Sequence, residues 1–459
     1  MQYYLAIDIG ASSGRHILAF LENDKLITEE IYRFENAPKL MDGSLFWDTE
    51  HLYREILNGL KKAYEIGKIP TYVGIDTWGV DYALLDENKQ KIGEVFCYRD
   101  SRNERAAAKL HDVIPFARLY GKTGIQYASF NTVYQLFSDK ESGRLKDAKY
   151  LLMLPDYFNF RLTGVMKQEY TNATTTGMIN TKTHTWDEDI LVTLGYPKAL
   201  FTPLSMPGTV VGEFTEEVRD FTGYNATVIL PATHDTASAV LGAPLMENAP
   251  YISSGTWSLL GVEEKEAHTS ETALTENYSN EGSIDFKFRL QKNIMGLWMI
   301  QQVRHESGDK YSFSELADMA ATSDANYEIN VNDERFLAPK SMTEEICRAV
   351  GKKLDIKDIA FVIYDNLAKS YADAMIALEK ITGRKYTTLN IIGGGSKNTF
   401  LNKLTAKYTK RRIIAGPAEC TALGNLIVQM VGTGAIESIA TGRKIIKNSF
   451  EIKEISEET

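Results

Sequence analysis

The segment Ile7–Arg15 reads IDIGASSGR and follows a β-rich run that begins at Tyr3. Asp8 interrupts that run near its end, and a turn of small residues with two hydroxyls follows it. Small residues let backbone N–H groups approach an anion, and a carboxylate at a strand end can hold Mg²⁺ through water. A Gly-rich turn alone usually only reverses the chain, but the acid and the hydroxyls favour phosphate binding. The predicted phosphate-binding residues are Ala11, Ser12, Ser13, Gly14 and Arg15, and the predicted metal-binding residue is Asp8.

The elements that surround this turn favour one fold over two alternatives. Strands are predicted over Arg15–Leu21 and Leu26–Phe34, an amphipathic helix over His51–Ile66, and a buried strand over Tyr72–Asp76. The order β-β-β-α-β, with the glycines inside the first hairpin, is that of a ribonuclease-H-like ATPase domain. A Rossmann unit would place the glycines between a strand and a helix, and a Walker P-loop would need GxxxxGK[ST].

A second segment repeats this pattern about half a chain later. Tyr251–Gly261 reads YISSGTWSLLG, again a strand, a small-residue turn with hydroxyls and a strand. We therefore predict an α/β chain of two ribonuclease-H-like (actin-like ATPase) domains that face a central cleft. The boundary is predicted within Gly242–Pro250, where GAPLMENAP breaks a helix. Residues 1–244 would form an N-terminal sugar-binding domain and residues 245–459 a C-terminal nucleotide-binding domain.

A third glycine cluster, Gly393–Gly395, lies between an apolar strand (Leu389–Ile392) and a predicted helix (Thr399–Tyr408). Glycines in this position allow close approach of a flat ligand such as adenine with its ribose. Tight packing of the strand against the helix explains the cluster equally well. Gly394 and Gly395 are the candidate nucleotide-binding residues here.

The segment Pro231–Val240 reads PATHDTASAV and carries the candidate catalytic residue. Asp235 stands where an apolar strand ends and an Ala-rich helix begins, with His234 and Thr236 on either side. We interpret Asp235 as a general base that takes a proton from a sugar hydroxyl as that oxygen attacks phosphorus. The competing interpretation is a helix cap, because Asp is favoured at that position.

The chain resembles the FGGY family of carbohydrate kinases in motifs that span nearly its whole length, in order. The segments that carry the resemblance are IDIGASSGR, GIDTWGVDY (74–82), CYRDSRN (97–103), PATHDTASAV, SSGTWSLLG, KNIMGLW (292–298), GGGSKN (393–398) and AGPAECTALGN (415–425). The resemblance implies ATP and Mg²⁺ as cofactors and Asp235 as the catalytic base. It also implies sugar contacts from Gly79, His234, Asp235, Thr236 and Asn293, and nucleotide contacts from Thr256 and Gln301.

The expected reaction is phosphorylation of a ketose at its 1-hydroxyl. The residues of the TWGVD and THDTASAV segments favour L-rhamnulose as the substrate, with fuculose or xylulose as alternatives within the family. Two other classes remain open. A nucleotide-driven switch like actin or the heat-shock chaperones would need a filament interface or a peptide-binding domain, and the chain has no spare length resembling the latter. A non-catalytic sugar sensor would have no need of Asp235.

Composition limits the partners. The 459 residues exceed one usual core, so two domains are expected. A net charge of −10 argues against nucleic acid and anionic membranes as partners, which leaves a small ketose and ATP. The sequence predicts a cytoplasmic protein without a signal peptide. It has three cysteines without a CxxC pair, no basic leader and no long apolar run. The sequence fixes no oligomeric state.

Two predictions concern polar residues outside the main motifs. Asp100 and Arg102 in CYRDSRN are expected to form an exposed ion pair rather than to line the sugar site. The acidic C-terminal tail, residues 452–459, is expected to fray as chain ends usually do.

Overall fold

The computed structural model describes residues 2–456, and every element lies within that range. The strands are β1 (Tyr3–Ile9), β2 (Ser13–Glu22), β3 (Lys25–Glu35), β4 (Lys39–Met41), β5 (Ser44–Trp47), β6 (Pro70–Thr77), β7 (Tyr82–Leu85), β8 (Val95–Phe96), β9 (Tyr150–Met153), β10 (Gln168–Glu169), β11 (Leu204–Ser205), β12 (Val210–Glu213), β13 (Thr227–Ile229), β14 (Tyr251–Ser254), β15 (Trp257–Glu264), β16 (Ser279–Gly282), β17 (Phe288–Met295), β18 (Thr388–Ile392), β19 (Arg412–Ala415) and β20 (Lys453–Ile455).

The α-helices are α1 (Thr49–Glu65), α2 (Arg102–Val113), α3 (Phe116–Thr123), α4 (Thr132–Glu141), α5 (Leu154–Thr163), α6 (Tyr170–Thr174), α7 (Glu188–Leu194), α8 (Glu216–Thr222), α9 (Asp235–Leu241), α10 (Glu271–Thr275), α11 (Trp298–Glu306), α12 (Phe313–Ala320), α13 (Met342–Val350), α14 (Ile356–Thr382), α15 (Thr399–Thr409), α16 (Cys420–Gly432) and α17 (Ile439–Ser449). Over residues 2–456, none of these helices combines the length and the apolar character that a membrane span requires.

The chain forms two compact units. The first contains Met1–Pro244, Glu264–Arg289 and Cys420–Ser449, and the second contains Leu245–Glu263, Leu290–Glu419 and Phe450–Thr459. The chain first passes between the units at Pro244, inside the predicted boundary segment, and two later segments belong to the first unit. The assignment of residues 1–244 and 245–459 as functional domains stays a prediction.

The first unit is built on a six-stranded sheet in the order β12-β13-β6-β1-β2-β3. β1 pairs antiparallel with β2 and parallel with β6, and its register places Asp8 opposite both Arg15 and Asp76. Both parallel strands are buried over most of their length, as apolar runs in the middle of a sheet usually are. Helix α1 begins at Thr49, two residues before its predicted start, and the Asp48 side chain caps it by accepting a hydrogen bond from the His51 backbone N–H.

The second unit repeats this arrangement. Its strands follow the order β17-β15-β14-β18-β19-β20, in which β14 pairs antiparallel with β15 and parallel with β18. The turn at Gly255 and Thr256 thus takes the place that the IDIGASSGR turn has in the first unit. The prediction of an α/β chain with two ribonuclease-H-like, actin-like units is confirmed.

Two polar predictions were wrong. Asp100 is buried, and its carboxylate accepts hydrogen bonds there from the backbone N–H groups of Leu45 and Arg102. The Arg102 guanidinium instead pairs with the buried Asp139 and lies 3.5 Å from the centre of the Phe96 ring. In the acidic tail, β20 pairs antiparallel with β19, so that part does not fray, and residues 457–459 lie outside the described residues.

Two glycines set the distance between α9 and α16 in the first unit. A Cβ built on Gly424 would lie 1.8 Å from the Ser238 carbonyl oxygen, and one built on Gly242 would lie 2.1 Å from the Cys420 carbonyl oxygen. Both obstacles are backbone atoms, which cannot rotate away as a side chain can. The two helices therefore touch through their main chains, and one of them, α9, begins at Asp235.

Candidate active site

The phosphate turn predicted from IDIGASSGR is a tight, hydrogen-bonded hairpin turn. The Gly10 N–H donates to the Ser13 carbonyl oxygen at 2.8 Å, and Asn36 donates from its side chain to the Gly10 carbonyl oxygen at 2.9 Å. Gly14 has a packing reason to be glycine, since a Cβ there would lie 2.1 Å from the Phe34 ring. The turn is thus held in one conformation, while Ser12 at its tip is exposed.

Asp8 stands at the end of β1 beside this turn. Its Oδ2 accepts hydrogen bonds from Arg15 Nε at 3.0 Å and Arg15 Nη2 at 2.8 Å. The guanidinium predicted to contact phosphate is therefore also the partner of the predicted metal-binding carboxylate. Their pairing across β1 and β2 follows from the register that places the two residues opposite each other.

Asp76 is a second carboxylate that the sequence interpretation missed. It is fully buried, and its Oδ2 accepts a hydrogen bond from Asn425 Nδ2 at 2.5 Å. Its Oδ1 has no hydrogen-bond partner among residues 2–456. Burial raises the pKa of Asp76 well above its usual range, and the charges of Asp8 and Asp235 raise it further. An Ile–Asp pair near the end of two apolar runs, at Ile7 and at Ile75, was the signal that could have found it.

Asp235 is the first residue of α9, next to the end of β6. The Thr77 N–H donates to the Thr233 carbonyl oxygen at 2.9 Å, which fixes the segment before α9 against that strand. His234 holds the N-cap position without a capping hydrogen bond from its side chain. Asp235 Oδ1 accepts instead from the backbone N–H and the hydroxyl of Thr236, at 2.5 and 3.1 Å. Asp235 is therefore not the N-cap residue, but it lies in the first turn of α9 and accepts a hydrogen bond from one N–H of that turn, so the helix-stabilising interpretation stays an alternative to the catalytic one.

The Asp235 side chain keeps 30% of its surface exposed, enough for a ligand to reach it. Burial of the remainder raises its pKa, the neighbouring His234 opposes the shift, and the charge of Asp8 adds to it. A partly exposed carboxylate with a raised pKa suits a group that must accept a proton and release it again. Its role as the base stays a prediction.

Residues far along the chain surround His234. Its Nε2 lies 3.4 Å from Asp235 Oδ1, while its Nδ1 lies 3.1 Å from Arg289 Nη2 and 3.3 Å from Glu281 Oε2. Sequence reasoning missed Glu281 and Arg289, since neither stands in a motif that we singled out. Arg289 offers no accessible surface at all.

Gly79 and its neighbours form a strained turn after β6. Val80 has a φ of +69°, a conformation that is a genuine outlier for a β-branched residue. Three side chains hold it: Thr175 accepts from the Val80 N–H at 3.1 Å, and Thr132 and Gln135 donate to the Val80 carbonyl oxygen. A Cβ on Gly79 would lie 3.0 Å from Thr175, so that side of the glycine is filled by packing. Its contact with a sugar stays a prediction.

The buried Asp81 fastens the same turn to an aromatic pair. Its Oδ2 accepts from Trp47 Nε1 at 2.6 Å, Trp78 Nε1 at 2.9 Å and the Tyr98 N–H at 3.2 Å, while Oδ1 accepts from Gln135 Nε2 at 2.9 Å. Burial raises the pKa of Asp81 to about 6, and the four donors oppose that shift. Trp78, whose ring centre lies 4.3 Å from that of Trp47, is largely buried, which favours packing as its main role.

We expect Asp81→Asn to lower the free energy of unfolding by about 2 kcal/mol at pH 7. An asparagine has only one side-chain oxygen, so its NH₂ group replaces an acceptor that N–H donors used in the wild type. Leaving a buried donor without an acceptor costs about 1–3 kcal/mol of stability. Urea unfolding followed by tryptophan fluorescence measures the change. The control is Glu87→Gln at an exposed position, expected to stay within about 0.5 kcal/mol of the wild type. Equal stability of the two variants would show that the four hydrogen bonds matter little.

The remaining predicted residues lie in the second unit. Thr256 is in the turn between β14 and β15, and Asn293 lies in β17 with its Oδ1 buried and without a hydrogen-bond partner among residues 2–456. Gln301 lies in α11 and is partly exposed. Gly395 packs on Ser254, since a Cβ there would lie 2.0 Å from the Ser254 hydroxyl oxygen, whereas nothing lies within 4 Å of a Cβ on Gly394. The packing interpretation thus accounts for Gly395, and Gly394 leaves open space for a ligand.

Comparison with known proteins assigns the chain to a family. Residues 3–242 match the N-terminal domain and residues 250–433 the C-terminal domain of one family. The chain belongs to the FGGY family of carbohydrate kinases, which transfer a phosphoryl group to a sugar.

Curated relatives match over nearly the whole chain. It is 43% identical to the rhamnulokinase of Oceanobacillus iheyensis, covering 98% of this chain and 97% of the relative. It is also 43% identical to the rhamnulokinase of Halalkalibacterium halodurans, covering 99% and 98%.

Solved structures show the same fold at low identity. A ligand-bound xylulose kinase from Lactobacillus acidophilus aligns with a TM-score of 0.81 at 16% identity, over 99% of this chain and 93% of the other. A glycerol kinase from Plasmodium falciparum with ADP aligns with a TM-score of 0.79 at 16% identity, over 98% and 94%.

Proposed function

We propose that this protein phosphorylates L-rhamnulose at the 1-hydroxyl with ATP, giving L-rhamnulose 1-phosphate and ADP. The proposal rests on relatives named rhamnulokinase that are 42–43% identical over nearly the whole chain. The structural observation that carries it is the partly exposed Asp235 carboxylate, with Asp8 as an electrostatic neighbour and His234 at 3.4 Å. These are groups of the kind that phosphoryl transfer to an alcohol requires.

Asp235 acts as the base in this reaction. The sugar hydroxyl attacks the terminal phosphorus of ATP, its proton passes to the carboxylate, and the bond to the leaving ADP oxygen breaks. The transition state is loose and spreads charge over the phosphoryl oxygens, so positioning and electrostatics supply most of the catalysis. His234 and Thr236, on either side of the base, hold the sugar with groups that donate and accept hydrogen bonds.

The residues present fit a magnesium ion. Mg²⁺ prefers carboxylate oxygens and usually keeps several waters, bound through one or two carboxylates and the substrate phosphates. Asp8 and Asp76 supply two such groups opposite each other at adjacent strand ends, and Asp76 Oδ1 is an acceptor with no donor among residues 2–456. No cluster of three or more His, Cys, Asp or Glu that could enclose a metal occurs within those residues. When bound, the ion would neutralise phosphate charge.

Two sets of residues are assigned to the nucleotide. We assign its phosphates to the first hairpin, through the backbone N–H groups of residues 11–14 and the Arg15 guanidinium. We assign its remaining contacts to Thr256, Gln301 and the glycines at 394 and 395 in the second unit. The open space at Gly394 supports this assignment, because a flat ligand needs close approach to the backbone there. For the sugar, the buried Oδ1 of Asn293, without a partner within residues 2–456, offers an acceptor for a hydroxyl.

A cytoplasmic location also stays a proposal. It is supported by the cysteine content, since the chain has only three cysteines and no CxxC pair. Disulfide frameworks are typical of proteins from oxidising compartments and need more cysteines than this.

The substrate assignment is tested by kcat/KM for four acceptors. We expect L-rhamnulose to exceed xylulose and glycerol clearly, and L-fuculose by a smaller margin. A site that pairs with particular hydroxyls can reject analogues that leave buried groups unpaired by factors of up to about 10⁴–10⁵, whereas one methyl group is worth only about 1–3 kcal/mol. A higher value for xylulose or glycerol would reject the proposed substrate and leave the family assignment intact.

The first hairpin is tested by two variants. We expect Gly10→Val to raise KM for ATP on the order of tenfold, because a branched side chain blocks the phosphates and each lost charge-assisted hydrogen bond costs about 1.5–3 kcal/mol. Its Cβ would lie 3.3 Å from the Ser13 carbonyl oxygen, a tight contact with backbone, so urea unfolding of the variant must accompany the kinetics. We expect Asp8→Asn to raise the Mg²⁺ concentration at half-maximal rate. The control is Asp24→Asn in the exposed β2–β3 turn. Unchanged ATP and Mg²⁺ responses in both test variants would mean that the turn is purely structural.

A further inference from the structure

A fully buried arginine lies against the histidine of the catalytic segment. Arg289, at the start of β17, belongs to the first unit and exposes none of its side chain. A guanidinium carries a charge and five N–H donors, and burying it costs free energy unless those donors are paired. Its Nε donates to the Gly282 carbonyl oxygen at 3.2 Å, and its Nη2 donates to Glu281 Oε2 at 3.1 Å. Glu281 thus supplies the counter-charge that keeps the arginine in place.

The same Nη2 is 3.1 Å from His234 Nδ1. A guanidinium has no lone pair with which to accept a hydrogen bond. The hydrogen bond therefore runs from Arg289 to the ring, which requires Nδ1 to be the unprotonated nitrogen of a neutral imidazole. The ring proton is then on Nε2.

The other end of the ring agrees with this tautomer. Nε2 lies 3.4 Å from Asp235 Oδ1, so a proton on Nε2 places a donor beside an acceptor. The opposite tautomer would direct Nδ1–H toward Glu281 Oε2 at 3.3 Å. It would also leave the Nε2 lone pair facing the Asp235 carboxylate, and an Nη2 donor of Arg289 facing an N–H. One tautomer satisfies the contacts at both ends of the ring, and the other satisfies one.

We propose that Arg289, held by Glu281, is a positioning residue that fixes His234 as the Nε2–H tautomer, so that His234 donates a hydrogen bond on the side where Asp235 accepts the substrate's proton. The donor orients the carboxylate or a sugar hydroxyl beside it. The catalytic consequence rests on the function proposed above, whereas the tautomer itself does not depend on it.

Nitrogen NMR of protein labelled with ¹⁵N-histidine measures the tautomer directly. The chain has seven histidines, and the His234 signals are those that disappear in His234→Gln. At pH 8, above the ordinary imidazole range, we expect Nδ1 of His234 to resonate as unprotonated nitrogen and Nε2 as an N–H. The reverse pattern in the wild-type protein would overturn the proposal.

Substitutions test whether Arg289 sets the tautomer. We expect Arg289→Met to move the proton to Nδ1, where Glu281 accepts it, and Arg289→Lys to keep the wild-type pattern because an ammonium also only donates. An unchanged tautomer in Arg289→Met would overturn the role of the arginine. If that variant does not fold, Glu281→Gln decides the matter. It keeps the donor at Nδ1 and should retain Nε2–H, and a shift to Nδ1–H would contradict the proposal.

Kinetics separate positioning from structural support. We expect Arg289→Met to lower kcat for the ketose by on the order of tenfold to a hundredfold, with KM for ATP within about twofold and with recovery in Arg289→Lys. The matched control is Arg161→Met, which removes another arginine paired with a glutamate, Glu50, and should retain the wild-type kcat. Equal losses in the two arginine variants would count against a specific role. If no ketose is phosphorylated at all, the proposed function is rejected. The NMR experiment still tests the His234 tautomer, because it does not depend on activity.

Discussion

Asp235→Asn is expected to lower kcat by on the order of a hundredfold or more while KM for ATP and for the sugar stays near the wild-type value. An amide has nearly the same shape as the carboxylate but cannot take up the proton of the attacking hydroxyl, and loss of a general base typically costs about 10²–10⁴ in rate. The Asp235 side chain is 30% exposed, and an asparagine Oδ1 can still accept from the backbone N–H and the hydroxyl of Thr236, so the variant should fold normally.

The pH dependence of the rate provides an independent check on Asp235. Burial raises the pKa of this carboxyl, and only the ionised form can act as a base. The wild-type kcat/KM should therefore fall as the pH drops through that raised pKa, and this acid limb should be missing from the residual activity of Asp235→Asn. Asp220→Asn, an exposed position in the first unit, serves as the control. Near-normal turnover in a folded Asp235→Asn enzyme would remove the base assignment.

Gly424→Ala is expected to cause the largest loss of stability, about 3 kcal/mol or more in the free energy of unfolding. The new Cβ would lie 1.8 Å from the Ser238 carbonyl oxygen, so α9 and α16 must separate. Overpacking usually costs about 1–3 kcal/mol, and a clash with backbone belongs at the upper end of that range. Because α9 begins at Asp235, the shift should also lower kcat.

Urea unfolding of Gly424→Ala should be compared with that of Gly121→Ala. Gly121 is inside α3, and nothing lies within 4 Å of a Cβ built there. Alanine at a free helical position should stabilise the protein by about 0.5–1 kcal/mol, so the two identical substitutions are expected to have effects of opposite sign. A Gly424→Ala enzyme as stable as the wild type would show that the helix contact can relax.

The elements near the first hairpin could be predicted from sequence because their signals are local. The helix predicted over 51–66 is observed as Thr49–Glu65, and the strand predicted over 72–76 as Pro70–Thr77. Both rest on apolar periodicity and on turn residues within a short window, which are the strongest signals available in a single sequence.

The partners of the predicted site residues could not be found in this way. Glu281 and Arg289 contact His234 although they lie 47 and 55 residues further along the chain. The residues near Arg289 in the sequence do not predict that it is buried. Asp76 was read only as part of a strand, because the parallel pairing of β1 with β6, which places it opposite Asp8, is a tertiary fact. Asp100 and Arg102 were misjudged for the same reason, since Asp139 and Leu45 are distant in the chain.

The return of Cys420–Ser449 to the first unit has a consequence for the order of events on the ribosome. In α16, Asn425 donates a hydrogen bond to the Gly74 carbonyl oxygen and Gln429 donates one to the Leu5 carbonyl oxygen. The first strands to be synthesised therefore make these contacts only when one of the last helices has been synthesised. At about 5–20 residues per second, translation of the 175 residues from Leu245 to Glu419 takes roughly nine to thirty-five seconds. During that time the emerged N-terminal half is an incomplete structure with an uncovered surface. The first unit can therefore be completed only after translation has passed Ser449, close to the end of the chain.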